Sequence, residues 1–176
     1  ETLRSNEEFD WCSNIVDAND KITKPWIMYS INNKKMVIRN FAIRNGCCMH
    51  SCCCVEDNNV YDFMCCCVLY SFSLQVSNDN KTWNILHKAE KIKDFWECKF
   101  LTFDVSEEKQ REQQSAGGYK FVRIVHDEQF PNCMNCMQLN QVELYGETVE
   151  VNDFYKIEED NDDSVSIIGK IKKTVE

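Results

Sequence analysis

The sequence predicts an all-β sandwich or barrel. Three observations lead there. Apolar and polar residues alternate strictly through 68–77, several further short segments carry the same signature, and no apolar face with a helical period extends for any length. The 176 residues are enough for one domain with a sizeable core. Five Gly and two Pro exclude collagen-like and Pro/Gly-rich low-complexity classes. The turns must therefore be made largely with Asn, Asp and Ser.

Each element follows in order. Residues 25–31 (Pro-Trp-Ile-Met-Tyr-Ser-Ile) and 36–44 read as strands. In 68–77, Val68, Tyr70, Phe72, Leu74 and Val76 share one face, and Ser71, Ser73, Gln75 and Ser77 the other, as a half-buried strand requires. Asn78-Asp79-Asn80-Lys81 forms a turn, because these side chains bond their own backbone and tolerate left-handed dihedrals. Trp83, Ile85 and His87 resume the two-residue period, so 68–87 is a hairpin with those three on one face. Strands follow at 95–105, 119–126 and 139–145, with Gly117-Gly118 punctuating before the second. The polar stretch 106–114 has room for one or two helical turns, with Ser106 as its cap and acids in the first turn.

Charge and hydropathy narrow the function classes. The net charge is −9, and residues 147–163 alone contribute −7. Everything outside 147–163 sums to −2, so the body is nearly neutral, and 147–176 reads as an acidic extension or linker, most simply a solvated one. No basic run with interleaved aromatics occurs, so nucleic acid is not an expected partner. No run of 18 apolar residues occurs, so no transmembrane segment is expected. No signal-peptide pattern is visible, and the chain opens on Glu1. A mature chain or a fragment with a truncated N-terminal edge both fit that start.

Cysteine is the oddity. The twelve fall as Cys12, Cys47-Cys48, Cys52-Cys53-Cys54, Cys65-Cys66-Cys67, Cys98, and Cys133 with Cys136. Adjacent cysteines strain any bridge between themselves, and triplets make a poor unique disulfide framework. With no signal peptide, the sequence reads as a cytoplasmic protein with mostly free thiols. Three roles stay open. The thiols can be small buried hydrophobes. They can hold zinc or iron, with Cys47, Cys48, Cys52, Cys53, Cys54 and His50 facing the Cys133-Met-Asn-Cys136 pair, although a second clean CxxC is absent. They can form a redox-sensing or disulfide-stapled loop. Eight of the twelve lie in 45–67, a stretch of 23 residues without convincing strand or helix, and so long a loop is functional, disordered or tied down. If this segment converges on Cys133 and Cys136, metal or disulfide gains. If the two regions point into separate cores, the buried-hydrophobe reading stands.

Residues 72–83, Phe-Ser-Leu-Gln-Val-Ser-Asn-Asp-Asn-Lys-Thr-Trp, resemble the central hairpin of discoidin domains, also called coagulation factor V/VIII type C domains, of the galactose-binding-like superfamily. Trp26-Ile27, Val37 to Arg44, Tyr119-Lys-Phe-Val-Arg-Ile124 and Leu139 to Gly146 resemble the flanking strands in order. The resemblance implies a galactose-binding-like jelly-roll β-sandwich over 1–146. Such a fold binds a carbohydrate, a lipid surface or a protein partner through loops at one end, without catalysis or cofactor. It places Arg44, Asn45, His50, His126 and Asn132 at or near that end, makes Asp79 a turn residue, and makes Arg123 a structural salt-bridge partner. No Cys follows Gly146 to tie the first and last strands, as secreted members do, and this departure supports an intracellular, cysteine-rich variant.

Catalysis is not expected. No phosphate loop, serine elbow or HExxH helix occurs. A Cys–His nucleophile pair is formally available, but twelve cysteines and three histidines single out no constellation.

Overall fold

The computed structural model describes residues 11–16, 23–46, 67–93, 100–131, 133 and 135–150. Nine strands and one helix run in the order β1 (Trp11–Cys12), β2 (Trp26–Ser30), β3 (Lys34–Arg44), β4 (Ser71–Ser77), β5 (Asn84–Ala89), β6 (Phe100–Asp104), α1 (Glu107–Ser115), β7 (Phe121–Glu128), β8 (Gln138–Leu139) and β9 (Gln141–Glu150). A four-stranded sheet, β2-β7-β4-β5, faces a three-stranded sheet, β6-β3-β9, and the short pair β1-β8 closes one end. Every strand pairing among the described residues is antiparallel. The all-β sandwich is therefore the fold.

The core lies between the two larger sheets. Ile27 and Tyr29, Phe72, Leu74 and Val76, and Val122 and Ile124 come from one sheet, and Ile38, Phe41, Ile43 and Leu144 from the other. Phe41 stacks on Phe103 within its sheet at 5.1 Å between ring centroids, and both meet Phe72 edge-on across the gap, at 6.3 and 5.3 Å. The alternation that marks 68–77 in the sequence thus becomes the buried face of β4.

The hairpin's second strand departs from the expected face. Ile85 is 47% exposed, whereas Leu86 is buried and His87 packs edge-on against Phe41. The register explains it: Leu74 pairs with His87 but Gln75 pairs with Ile85, so Leu86 is an extra residue. A bulge of this kind switches the face of everything beyond it.

Three further features shape the frame. Ser106 caps α1, its Oγ accepting from the Lys109 N–H at 3.4 Å. Gln113 is the helix's buried residue. Its Oε1 accepts from the Ile38 N–H and its Nε2 donates to the Ile38 carbonyl, both at 2.8 Å, beside the register shift between Ile38 and Asn40. An amide side chain thus supplies the two bonds that a neighbouring strand would supply. Opposite, a Cβ on Gly146 would sit 1.9 Å from the Val37 carbonyl oxygen, so only glycine permits the β3–β9 approach there. β9 continues past it to Glu150, where Arg39–Glu147 and Lys34–Glu150 ion pairs bring the first acids of the acidic run into the sheet.

The cytoplasmic reading is overturned, and at least three of the cysteines are not free thiols. Cys67 and Cys136, both buried, form a disulfide with Cα atoms 4.8 Å apart across 69 residues of sequence. Cys12 is disulfide-bonded as well. Such bridges form and persist in oxidising surroundings, so the chain belongs to an oxidising, extracellular-type environment. The sequence reading failed because it took the missing signal-peptide pattern, the clustered cysteines and the lack of a Cys after Gly146 as signs of a reducing compartment. The bridge joins two loops at the end of the sandwich.

Candidate functional site

Four segments meet at that end. β3 finishes at Arg44, the chain re-emerges at Cys67 toward β4, β7 passes into the 129–137 loop, and the N-terminal β1 lies against β8. Backbone bonds lace them together. Gln138 N–H donates to the Cys67 carbonyl (2.9 Å), Asn140 N–H to Arg44 (3.0 Å), Ser13 N–H to Met137 (2.9 Å) and Val16 N–H to Asn135 (2.9 Å). Ser13 Oγ accepts from the Met137 N–H at 2.9 Å. The disulfide fixes the end of the long β3–β4 connection to the β7–β8 loop in the middle of this lacing. At Cys67, the described end of the cysteine-rich segment, the two regions meet, and through a disulfide.

The expected site residues fall into two groups. Arg44 is half-buried at the tip of β3, and Asn45 follows it, buried. His126 lies inside β7 rather than at a loop, 1% exposed, with its backbone N–H donating to the Pro25 carbonyl at 2.9 Å. Burial pushes its imidazole down to about 4, so the ring is neutral at pH 7. Asp127 and the carbonyls of Glu128 and Cys136 pull weakly the other way, yet neither ring nitrogen makes a hydrogen bond of ordinary geometry. Cys133 is half-buried in the 129–137 loop. Cys136 has its sulfur bonded to that of Cys67, so it offers no thiolate to a metal. Cys47, Cys48, His50, Cys52, Cys53, Cys54 and Asn132 lie outside the described residues. Among the described residues no group of three or more His, Cys, Asp or Glu is placed to hold a metal ion.

The opposite end is closed locally. Asp79 Oδ1 accepts from the N–H groups of Thr82 (2.7 Å) and Lys81 (2.9 Å), and from Ser77 Oγ (2.9 Å). These bonds favour the charged carboxylate, the one from Thr82 most, and hold its pKa well below the usual range. Asp79 is thus the turn residue the resemblance implies.

Arg123 differs from its expected role as a salt-bridge partner. Its Nε and Nη2 donate to Gln75 Oε1 at 2.9 and 2.8 Å, and its guanidinium lies over the Trp83 ring at 3.9 Å. Sequence reasoning missed this triad because its three members stand on β7, on β4 and just before β5. Their common face was visible in the alternation, but their adjacency was not.

No family model and no curated protein matches the sequence. Among solved structures, the C-terminal domain of a chitobiase from Bacteroides fragilis is similar at 8% identity and a TM-score of 0.38. The match covers 68% of this chain, which spans 60% of that chain's length. The fold assignment above rests on strand order and register, not on that likeness. Among the described residues no helix is long and apolar enough to cross a membrane.

Proposed function

We propose that this chain is a non-catalytic recognition module, discoidin-like in plan. It binds a carbohydrate or protein partner through the loop end that carries Arg44 and Asn45. One observation carries the reading: the Cys67–Cys136 bridge fastens the longest connection of the fold to the facing loop on a rigid two-sheet frame. A binding end whose loop bases are fastened to a rigid frame loses less conformational freedom on binding, which is the usual reason to stiffen a binding surface. Arg44 offers a charged fork at the rim of that surface. The reading assigns no catalytic residue and no cofactor.

The test is a glycan array, a lipid overlay and a pulldown with the oxidised chain, each repeated with Arg44→Ala. Saturable binding in one format, weakened by Arg44→Ala and by reduction, supports the proposal. Silence in all three with folded protein overturns it and leaves a scaffold role.

A further inference from the structure

The outer face of the four-stranded sheet carries a second feature. β7 lies between β2 and β4. Val125 is flanked by Trp26 and Ser73, and Arg123 by Met28 and Gln75. Along this face runs an open depression of about 330 Å³ lined by Lys24, Trp26, Gln75, Arg123, Val125 and Asp127. That volume is at the lower end of the range for small-ligand sites. Arg123 and Asp127 are four residues apart on one strand, roughly 13 Å, so the depression is an elongated cleft.

Its chemistry is asymmetric. At one end Arg123 is held rigidly. Gln75 takes its Nε and Nη2, Gln75 is itself fixed by its Nε2 donating to Ser73 Oγ at 2.8 Å, and Trp83 backs one guanidinium face. Among the described residues, Nη1 has no hydrogen-bond partner and no carboxylate lies within ion-pair distance of the guanidinium. At the other end Lys24 Nζ meets Asp127 Oδ1 at 2.8 Å, whereas Asp127 Oδ2 is buried without a donor. Lys24 and Asp127 cancel, so the cleft has one uncompensated positive charge, on Arg123. Between the ends the wall is apolar: Val125, and the indole of Trp26, 45% exposed.

We propose that this cleft binds an acidic sugar, a pyranose bearing a carboxylate in an oligosaccharide of uronic-acid type. The carboxylate sits on the Nη1 side of Arg123, the apolar ring face lies against Trp26 and Val125, and a hydroxyl accepts from Lys24 Nζ at the far end. A positioned guanidinium favours a planar carboxylate, and an aromatic wall beside polar groups favours a ring with one apolar face and hydroxyls around its rim. An extended peptide fits less well. The cleft lies over β7, whose main-chain groups are already paired on both sides, so a peptide would gain no strand-addition bonds there.

The experiment is calorimetric titration of the intact oxidised chain with a tetragalacturonate, its fully methyl-esterified form, and a tetraglutamate peptide. Trp26→Ala removes an exposed side chain and keeps the fold testable, Arg123→Gln removes the charge, and Arg44→Ala reports on the loop end. The expected result is saturable binding of the free acid, weakened at least about tenfold by esterification, by Trp26→Ala and by Arg123→Gln, and unchanged by Arg44→Ala. No saturable binding, equal binding of acid and ester, tighter binding of the peptide, or binding indifferent to Trp26→Ala overturns the proposal. Binding lost with Arg44→Ala alone assigns the ligand to the loop end instead.

Discussion

The two ends of the sandwich are built by different means. At one end lie the Ile31–Lys34 turn, the Asp79 turn and the capped helix α1. The turns and the helix cap there are made by bonds between residues two or three apart in sequence: Ser77 with Asp79 and Asn80, Asp79 with Lys81 and Thr82, Ser106 with Lys109. Longer-range bonds, Gln113 to Ile38 and Asn78 to Gly118 and Lys120, then dock these local units onto the frame. At the other end the bonds join Ser13 to Met137, Arg44 to Asn140, and Cys67 to Cys136. The local units of the first end form wherever the local sequence is right. The second exists only once the sheets have assembled, and it needs a covalent bond to hold long connections in place. The difference is between a structural end and an end given over to loops, where binding surfaces commonly sit.

The largest expected effect is at the stapled end. Replacing both Cys67 and Cys136 by Ser should cost about 4 kcal/mol by the loop-closure model for a separation of this size. Denaturant unfolding of the parent chain and the double variant, both kept oxidised, checks it. Loss of loop-end binding while the strand signal in far-UV circular dichroism survives would show that the two ends are separable. Loss of both together would show that they are not.

Acid should act at the same end. The buried His126 has its folded-state pKa lowered to about 4 from 6.5, so the unfolded chain binds the extra proton between those values. The stabilisation is complete above pH 6.5 and is lost as pH falls toward 4, up to about 3 kcal/mol. The slope of unfolding free energy against pH should flatten over that window in His126→Leu. An unchanged slope would remove His126 from the account.

Effects at the self-closed end should be smaller. Gln113→Leu leaves the Ile38 N–H and carbonyl without their partner and should cost about 2 kcal/mol. Ser106→Ala removes only the helix cap and should cost about 1 kcal/mol. Thermal melts rank the two. A cap variant as damaging as loss of the disulfide would erase the contrast between the ends.

Much of the frame was legible because strand periodicity is local. Phe72, Leu74 and Val76 announced a buried face, Asp79 announced a turn, and Ser106 announced a helix start. Ile85 misled because a bulge at Leu86 changes the face without any break in the pattern. Gln113 was illegible because nothing in a polar helix marks the residue that will serve a strand 75 positions away. The candidate site was less legible still. Arg44 and Asn45 were placed at the correct end, but His126 sits inside a strand, and the Arg123–Gln75–Trp83 triad needed three distant segments brought side by side.

The sequence by itself determined an antiparallel two-layer frame, its turns and its one short helix, because alternation, capping and turn chemistry act over a few residues. Only the tertiary structure decided which two of twelve cysteines meet across 69 residues, and with them the oxidising setting. It alone brought Trp26, Arg123 and Asp127 onto one cleft. The physical reason is the same in each case. Such contacts depend on strand order, and strand order follows from burying one shared core rather than from any local preference.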